Sequence, residues 1–309
     1  MTTDIKNEPL TPVTGMFTAF LCMLFGANAV AIKIAFEGLG VFTTAALRFA
    51  VAAVVLTVWI KFRNHPLAPP KGYLYQLVII SAVFAVQLSL VYFGLSKTNA
   101  SRGTLLINLQ PFFLLFLAHF FIPGDRITIR KLLGLVSGFA GLAIVVSGKE
   151  GVTADFRLGD SMLILATILW AGSIVYLKRI IYHHSPLQIV LYQMIFAVPI
   201  FLLEALLWDD RMVVDLSVPV LGALLYQALV TASFGFVAWN TLLKKHGAVA
   251  LHSFVFIMPL AGVMLSGFLL GEPITVSIVL SLSLIVAGLL IIHLRPRRAV
   301  SVYPLRKSP

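Results

Sequence analysis

The sequence predicts an all-α integral membrane protein with ten transmembrane helices, arranged as two inverted five-helix repeats. Three observations lead to this prediction: the composition, a succession of long apolar runs, and similar motifs in the two halves. Of the 309 residues, 60% are apolar and only 11% are charged, whereas a soluble domain has about 25% charged residues. A soluble globular enzyme is therefore not expected, and neither is a disulfide scaffold, since Cys22 is the single cysteine.

Ten apolar runs are long enough for transmembrane helices, because a helix needs about 20 apolar residues to cross the hydrocarbon core. The sequence lacks the strict alternation that the strands of a membrane barrel would require. The predicted spans are 15–36, 40–62, 73–96, 102–122, 129–147, 158–180, 186–208, 217–243, 248–270 and 275–294. Lys6 alone makes a poor signal-peptide start, so we expect the first helix to remain uncleaved.

The distribution of basic residues predicts the orientation. With the N-terminus in the cytoplasm, most of the 23 lysines and arginines fall in the cytoplasmic connections or in the C-terminal tail, as the positive-inside rule requires. We therefore expect residues 1–14 and 295–309 to be cytoplasmic tails. The basic C-terminal tail is interpreted as an anchor near anionic membrane lipid, so no nucleic-acid partner is expected.

The two halves of the chain, residues 15–148 and 158–294, carry similar motifs. Asn108-Leu-Gln-Pro111 and Gly124-Asp-Arg-Ile-Thr128 correspond to Ile257-Met-Pro259 and Gly271-Glu-Pro-Ile-Thr275, at separations of 147 or 148 residues. Because each half holds five predicted helices, the second half must enter the membrane with the opposite orientation. Inverted repeats are typical of secondary transporters, whose substrate site lies near the midplane between the halves. A channel could use the same symmetry.

Three motifs, together with the paired five-helix units, resemble the EamA-type branch of the drug/metabolite transporter superfamily. The motifs are Phe25-Gly-Ala-Asn-Ala-Val-Ala-Ile-Lys33, Ala46-Leu-Arg-Phe49 and Gly271-Glu-Pro-Ile-Thr275, and the resemblance extends over residues 15–294. It implies a ten-helix exporter or exchanger of small metabolites in a bacterial inner membrane, with both termini cytoplasmic. The first half departs from the pattern, because it has Pro123-Gly-Asp-Arg where the second has Leu-Gly-Glu-Pro.

Arg48 is the most deeply placed charge in the predicted spans. It lies about 12 Å from the start of the second helix, at 1.5 Å per residue, and hence near the centre of a hydrocarbon core about 30 Å thick. A charge at this depth is costly and is expected to have a partner. We expect Arg48 to bind a carboxylate or phosphate of the substrate, with a structural arginine bonded to backbone carbonyls as the alternative. Lys33 is a second candidate, although it can reach the membrane surface.

Other polar and aromatic side chains within the spans are candidates to line a substrate cavity. Such amides and hydroxyls can also bond between helices, and the tryptophans can simply pack. The candidates are Asn28, Gln87, Asn108, Gln110, Gln193, Tyr226, Gln227, Trp170 and Trp239. Because Asn108 and Gln110 are about 200° apart on a continuous helix, at most one of them is expected to face the cavity.

Pro111 and Pro259 occupy matching positions and are predicted to kink the fourth and ninth helices. His119 and His252 are the candidates for proton coupling, since they can titrate near neutral pH and no carboxylate is predicted in mid-span. Packed or capping histidines are the alternative. No HExxH, GxSxG or P-loop motif occurs in the sequence, so we expect neither an enzyme nor a bound metal or cofactor.

Two further motifs are interpreted as structural. Gly134-x-x-x-Gly138 in the fifth helix permits close contact, either with the tenth helix or with a second copy of the chain in a homodimer. Thr128 and Thr275 are predicted helix N-caps, and Glu272 in the preceding turn is expected to favour the dipole of the helix that begins at Thr275.

These observations predict a secondary transporter of small metabolites, with amino acids or related carboxylate-bearing solutes favoured because Arg48 is the deepest charge. The solute would bind in a positive, amide-rich cavity, and the two halves would move around it in alternating access. The alternative is a transporter of the same fold for a vitamin, lipid-like or drug-like amphipathic solute. A channel is less favoured.

Overall fold

The computed structural model describes residues 11–64, 66–69, 72–121, 128–147, 154–180, 184–246, 251 and 254–293. Within these ranges the regular structure is helical, apart from one isolated bridge between Leu39 and Val213. The helices are α1 (Pro12–Gly26), α2 (Asn28–Phe36), α3 (Val41–Phe62), α4 (Leu74–Lys97), α5 (Ala100–Ile107), α6 (Gln110–Phe121), α7 (Ile129–Ser147), α8 (Ala154–Ile180), α9 (Pro186–Trp208), α10 (Val218–Leu225), α11 (Phe236–His246), α12 (Ile257–Leu270) and α13 (Val276–His293). A π-helix, Tyr226–Gly235, joins α10 to α11. The predicted all-helical fold is confirmed.

Eight helical segments of the described chain are long and apolar enough to cross a membrane. They are Pro12–Phe36, Val41–Phe62, Leu74–Lys97, Ala100–Phe121, Ile129–Ser147, Ala154–Leu177, Pro186–Trp208 and Val218–Leu243. Two shorter apolar helices, Ile257–Leu270 and Val276–Ile292, follow them. The chain is a multi-pass membrane protein.

Helices α7 and α13 pack closely because small residues face each other. A Cβ atom on Gly134 would lie 2.8 Å from the carbonyl oxygen of Gly288 on α13, whereas one on Gly138 would meet the ring of Phe112 on α6 at 2.5 Å. Hydroxyls reinforce the contact, since Ser137 donates to the carbonyl of Leu284 at 2.7 Å. Of the two alternatives for the Gly134-x-x-x-Gly138 motif, the structure therefore has the contact within the chain.

Carboxylates from distant parts of the chain cap two helices. Asp209, after α9, accepts from the backbone N–H of Thr43 at 2.7 Å and caps the start of α3. Glu272, after α12, accepts from the N–H groups of Ala100 and Ser101 at 2.6 and 2.8 Å and caps the start of α5. The expectation that Glu272 serves the helix that follows Thr275 is wrong, because its carboxylate turns to α5 in the other half of the chain.

A buried ion pair joins α5 to α8. The Arg102 guanidinium binds Asp160 through Nε at 2.8 Å and through Nη2, and Nη2 also reaches the carbonyl oxygen of Val146 at 3.3 Å. Both side chains are buried, with 8% of Arg102 and 2% of Asp160 exposed. The pair holds α5, α7 and α8 together at one end of the bundle.

Candidate functional site

A cavity of about 700 Å³ lies among the helices and is lined by both halves of the chain. Its walls come from α1, α2, α3, α4, α5, α6, α8, α9, α11 and α12. Eight of the eleven side chains expected to bind substrate line it: Asn28, Arg48, Gln87, Asn108, Gln110, Trp170, Gln193 and Trp239. The cavity therefore brings together residues that are far apart in the sequence.

Arg48 lines this cavity from α3 with only 2% of its surface exposed. Its Nη1 donates to the hydroxyl of Tyr92 and its Nη2 to that of Thr231, both at 3.1 Å. The guanidinium also lies over the ring of Phe49, 4.9 Å from the centroid. Its Nε has no hydrogen-bond partner, and no carboxylate of the described residues forms an ion pair with it. The charge is therefore held only by neutral groups.

A network of neutral groups fixes the orientation of the Arg48 partners. The Tyr92 hydroxyl donates to Gln227 Oε1 at 3.0 Å, and Gln227 Nε2 donates to the carbonyl of Ala31 at 3.1 Å. The Thr231 hydroxyl lies 3.1 Å from Asn28 Oδ1 and 2.8 Å from the carbonyl oxygen of Gln227, either of which can accept its proton. Arg48 is thus linked to α4 directly, through Tyr92, and to α2 through Gln227 and Thr231 of the π-helix.

The π-helix is the unusual element of this network, since such helices are rare and often occur at functional sites. Gln227 and Thr231, which support the Arg48 partners, both lie on it. The Ser233 hydroxyl donates to the carbonyl of Ala228, five residues earlier, at 2.8 Å. Gly235 ends it where the ring of Phe25 approaches, since a Cβ atom there would lie 2.9 Å from that ring.

Two of the apolar segments are interrupted beside the cavity. The first breaks at Ala27, between α1 and α2, next to Asn28. The second breaks at Asn108 and Leu109, between α5 and α6, and the Asn108 amide donates to the carbonyl of Thr104 at 2.8 Å. Backbone hydrogen bonds continue at both breaks, since the N–H of Ala31 donates to the carbonyl of Ala27 at 3.0 Å and that of Phe112 to the carbonyl of Leu109 at 2.9 Å.

The second break corrects the expectation that at most one of Asn108 and Gln110 faces the cavity. Both line it. The expected angle of about 200° holds only for a continuous helix, whereas Asn108 ends α5 and Gln110 begins α6.

Several polar atoms of the cavity walls are buried without a hydrogen-bond partner. They are Arg48 Nε, Gln87 Oε1, Thr104 Oγ1 and Gln110 Nε2. An unpartnered buried polar atom costs about 1–3 kcal/mol. These atoms lie below the cavity surface, so their unmet hydrogen bonds are a cost that the folded walls retain.

Aromatic rings form another part of the wall. Phe25 packs edge-on against Trp239 and tilted against Phe236, with ring centroids 6.0 Å apart in each pair. Trp170 and Phe84 also line the cavity. The cavity thus combines one cation, several amides and an aromatic surface, which suits a small solute with one anionic group and an apolar body.

A family model described as the EamA-like transporter family matches residues 13–147 and, a second time, residues 157–294. The chain belongs to the EamA-like transporter family. It is a transporter of the membrane, and both matched segments contribute to the cavity.

Alignments with named relatives cover almost the whole transporter. "Uncharacterized transporter YvbV" of Bacillus subtilis (strain 168) is 23% identical over 296 residues, which cover 95% of each chain. "Probable amino-acid metabolite efflux pump" of Escherichia coli (strain K12) is 25% identical over 298 residues, or 93% of this chain and 98% of the relative. A crystal structure that is 16% identical aligns with a TM-score of 0.68 over 91% of this chain and 96% of the other, which shows a shared fold.

Three of the expected substrate-binding residues of the transporter do not line the cavity. Lys33 donates to the carbonyls of Leu95 and Thr98 at 3.1 and 3.0 Å, at the end of α4. The Tyr226 hydroxyl donates to the carbonyl of Leu24 at 2.6 Å, and Gln227 supports Tyr92 from behind. Their partners are backbone groups and neighbouring side chains, so their roles in the structure are to join helices.

Of the candidate histidines, one is described by the structure, and the two prolines stand at helix starts. His119 is exposed and packs edge-on against Phe120 away from the cavity, and His252 lies outside the described residues. Pro111 lines the cavity as the second residue of α6, and Pro259 is the third residue of α12. Both stand in the first turn of a helix, where proline removes no helical hydrogen bond, so neither kinks a helix from its interior.

Some cavity residues were not singled out from the sequence. Ser173 and Thr104 line the wall, as do the rings of Phe84 and Phe236. Ser173 could have been selected, because near the start of the repeats the two halves correspond at a separation of 145 residues, as Ile32-Lys33 and Leu177-Lys178 show, which pairs Ser173 with Asn28. The phenylalanines had none, since an apolar ring within a transmembrane helix can equally face lipid, core or cavity.

Proposed function

We propose that the protein is a secondary transporter that exports small carboxylate-bearing metabolites, amino acids or related compounds, across the bacterial cytoplasmic membrane. The ten predicted spans form two inverted five-helix repeats, and both termini are cytoplasmic. The solute binds in the cavity beside Arg48, and alternating access moves it to the other side.

The observation that carries this proposal is the unpaired charge of Arg48. A charge buried within a membrane is costly unless a partner compensates it. The hydroxyls of Tyr92 and Thr231 solvate the guanidinium without neutralising it, and Nε has no hydrogen-bond partner within the protein. A solute carboxylate would supply the missing opposite charge through strong, charge-assisted hydrogen bonds.

Helix packing supports the two-repeat arrangement. Helix α3 packs on α9, α5 on α12 and α7 on α13, and each pair joins corresponding helices of the two halves. Other contacts occur twice, once in each direction between the halves. Helix α4 packs on α9, and the π-helix, which corresponds to α4, packs on α3, which corresponds to α9. A two-fold relation between the repeats requires both kinds of contact.

Contacts between connections support the alternating direction of the helices. The carbonyl of Gly38, after α2, accepts from the N–H of Val214 at 2.9 Å, in the connection after α9. At the start of α9, Gln188 Nε2 donates to the carbonyls of Pro66 and Ala68 at 3.0 and 2.9 Å. Each contact joins connections that the inverted topology assigns to the same membrane face.

The interrupted helices support alternating access. Transporters often form their binding sites from discontinuous helices at the repeat interface. The breaks at Ala27 and at Asn108 and Leu109, together with the π-helix, all adjoin the cavity or the Arg48 network. The regular α-helical pattern is interrupted at these points, so they are where the cavity walls can bend when the two halves rock.

Export rather than uptake is the direction that relatives support. The Escherichia coli relative and a Salmonella typhimurium relative, 24% identical over 286 residues, are both named "Probable amino-acid metabolite efflux pump". The second candidate is export of a drug-like, vitamin or lipid-like amphipathic solute, which the rings of Phe25, Trp170, Phe236 and Trp239 in the cavity wall favour.

Counterflow in proteoliposomes preloaded with a panel of amino acids tests the proposal. We expect Arg48→Gln to reduce exchange of the carboxylate-bearing solute at least tenfold, which corresponds to about 1.4 kcal/mol. Arg63→Gln is the matched control, because Arg63 is exposed and stacks on Trp59 outside the cavity. Equal exchange by wild type and folded Arg48→Gln would overturn the role of Arg48. Exchange restricted to neutral amphipathic solutes would favour the second candidate.

A further inference from the structure

We propose that the cavity prefers solutes with a net charge of minus one, carboxylates with an apolar body and no free ammonium group, over zwitterionic amino acids. This inference rests on the proposed function, because it refines the substrate class of the same cavity. It follows from the positive charge of Arg48 at the cavity and from the position of the carboxylates away from it.

The part of the cavity wall that the structure describes contains a cation but no anion. Among the described residues that line it, Arg48 is the charged side chain, and neither aspartate nor glutamate occurs there. The amides of Asn28, Gln87 and Gln110 are neutral. A monoanion therefore balances the charge of the cavity, whereas a zwitterion brings its own positive charge and leaves the total unchanged.

Carboxylates within or near the membrane segments are committed elsewhere. Asp160 binds Arg102, and Asp209 and Glu272 cap α3 and α5. Glu204 on α9 accepts from the Ser89 hydroxyl at 2.7 and 2.9 Å. None of these carboxylates lines the cavity, so none is placed to accept a hydrogen bond from a solute ammonium.

The ammonium of an α-amino acid could not avoid Arg48. It is attached to the carbon next to the carboxylate, so a carboxylate bound at the guanidinium brings the ammonium close to the same positive charge. Repulsion between like charges is strong where water is excluded. In a solute without the ammonium, the same carbon carries hydrogen, a hydroxyl, a keto group or an acylated nitrogen, and the amides of Gln87 and Gln110 can bond such polar groups.

The helix ends beside the cavity do not replace a carboxylate. The carboxyl end of a helix carries a partial negative charge and its amino end a partial positive one. At Ala27 the carboxyl end of α1 meets the amino end of α2, and at Asn108 and Leu109 the end of α5 meets the start of α6. The two partial charges at each break oppose one another, so neither break offers a net site for a cation.

The test compares pairs of compounds with the same carbon skeleton. We would measure binding to the purified transporter in detergent by titration calorimetry, because weak acids leak through liposomes. The pairs are 3-phenylpropanoate with phenylalanine and 4-methylpentanoate with leucine. We expect at least tenfold tighter binding of the monoanion in one or both pairs. Equal or tighter binding of the amino acids in both pairs would overturn the charge preference while leaving the proposed function standing.

Failure of the proposed function gives a different result. In that case no carboxylate of either pair binds, and the amino-acid counterflow described above is also negative. Binding of phenethylamine, which has the ring and the ammonium but no carboxylate, at least as tightly as 3-phenylpropanoate would overturn both the charge preference and the role of Arg48.

A variant that supplies the missing carboxylate sharpens the test. Asn28→Asp keeps the size of the side chain and an oxygen beside the Thr231 hydroxyl, and it adds a negative charge close to Arg48. We expect the ratio of monoanion to amino-acid affinity to fall at least tenfold. Asn64→Asp is the matched control, because Asn64 is exposed after α3 and outside the cavity. An unchanged ratio in a folded Asn28→Asp protein would overturn the proposal.

Gln87→Glu provides a second route to the same charge change if Asn28→Asp does not fold. Gln87 lines the cavity from α4, is 2% exposed, and its Oε1 has no partner. The expected direction is the same, a shift from the monoanion toward the amino acid. A ratio that remains at the wild-type value in this variant would count against the proposal in the same way.

Discussion

Arg48 and Arg102 are two buried arginines of the same transporter in opposite electrostatic situations. Arg102 on α5 binds the carboxylate of Asp160, so its charge is neutralised within the protein. Arg48 on α3 binds two hydroxyls, keeps an unpartnered Nε and adjoins the cavity. The two side chains are similarly buried, with 2% of Arg48 and 8% of Arg102 exposed.

The difference shows that burial alone does not distinguish a structural arginine from a functional one. A buried ion pair is self-sufficient, and its partners hold helices in register. A buried charge without a counter-ion is costly, and the protein retains that cost where a ligand can compensate it. The hydrogen-bond partners of each arginine, rather than its depth, therefore distinguish Arg102, which holds the bundle together, from Arg48, the candidate binding group for the solute.

Loss of Arg102 is expected to have the largest effect on stability. Arg102→Gln leaves the carboxylate of Asp160 buried without an opposite charge, and breaking a buried pair costs about 3–5 kcal/mol. Thermal unfolding in detergent should therefore show a large fall in Tm. An Arg102→Gln protein as stable as wild type would mean that Asp160 finds another partner or water, and that the pair is not an anchor.

A double variant separates the ion pair from the shape of the site. Replacement of a buried pair by apolar residues of similar size is often neutral or stabilising, so Arg102→Met with Asp160→Leu should regain most of the stability that Arg102→Gln loses. Arg63→Gln removes an exposed arginine and controls for the loss of one positive charge. A double variant less stable than the single one would show that Asp160 stabilises the bundle in ways other than by pairing with Arg102.

The cap on α5 is expected to contribute less than the ion pair that this helix carries. Glu272→Gln keeps an oxygen near the N–H groups of Ala100 and Ser101 but removes the negative charge at the amino end of the helix. We expect a loss of about 1 kcal/mol, measured as a smaller fall in Tm. Glu37→Gln, which neutralises an exposed glutamate, is the control. A loss as large as that of Arg102→Gln would make the cap, not the pair, the main support of α5.

The sequence predicted the parts of the site that depend on polarity within apolar segments. A buried charge or amide in such a segment has few explanations, so Arg48, Asn28, Gln87 and Gln193 could be selected without a structure. All four line the cavity. The repeat also pairs Ser173 with Asn28, and Ser173 lines the cavity as well.

The sequence did not predict which groups meet across the bundle. Glu272 caps a helix in the other half of the chain, and Lys33 binds carbonyls at the end of α4. Such partners depend on how helices pack, which local patterns do not encode. The expectation that at most one of Asn108 and Gln110 faces the cavity was wrong for a related reason. The break between them means that the geometry of a continuous helix does not apply.

Arg48 is expected to give the smallest effect on stability of these three sites, although its effect on transport is large. Arg48→Gln loses hydrogen bonds to Tyr92 and Thr231, each worth about 1.5–3 kcal/mol when one partner is charged. It also removes a buried charge that has no counter-ion, which offsets much of that loss. We therefore expect the free energy of unfolding of Arg48→Gln, followed through its Tm without added solute, to be within about 1 kcal/mol of the wild-type value.

The stability of Arg48→Gln decides whether Arg48 and Arg102 have different roles. Tyr92 and Thr231 keep their other contacts in Arg48→Gln, with Gln227 and Asn28 respectively, so no charged group is left unpaired as Asp160 is in Arg102→Gln. If Arg48→Gln instead lowers stability as much as Arg102→Gln, the neutral network compensates the guanidinium fully in the folded state. Arg48 would then be a second anchor of the bundle, and the cavity would have no uncompensated charge to attract a carboxylate.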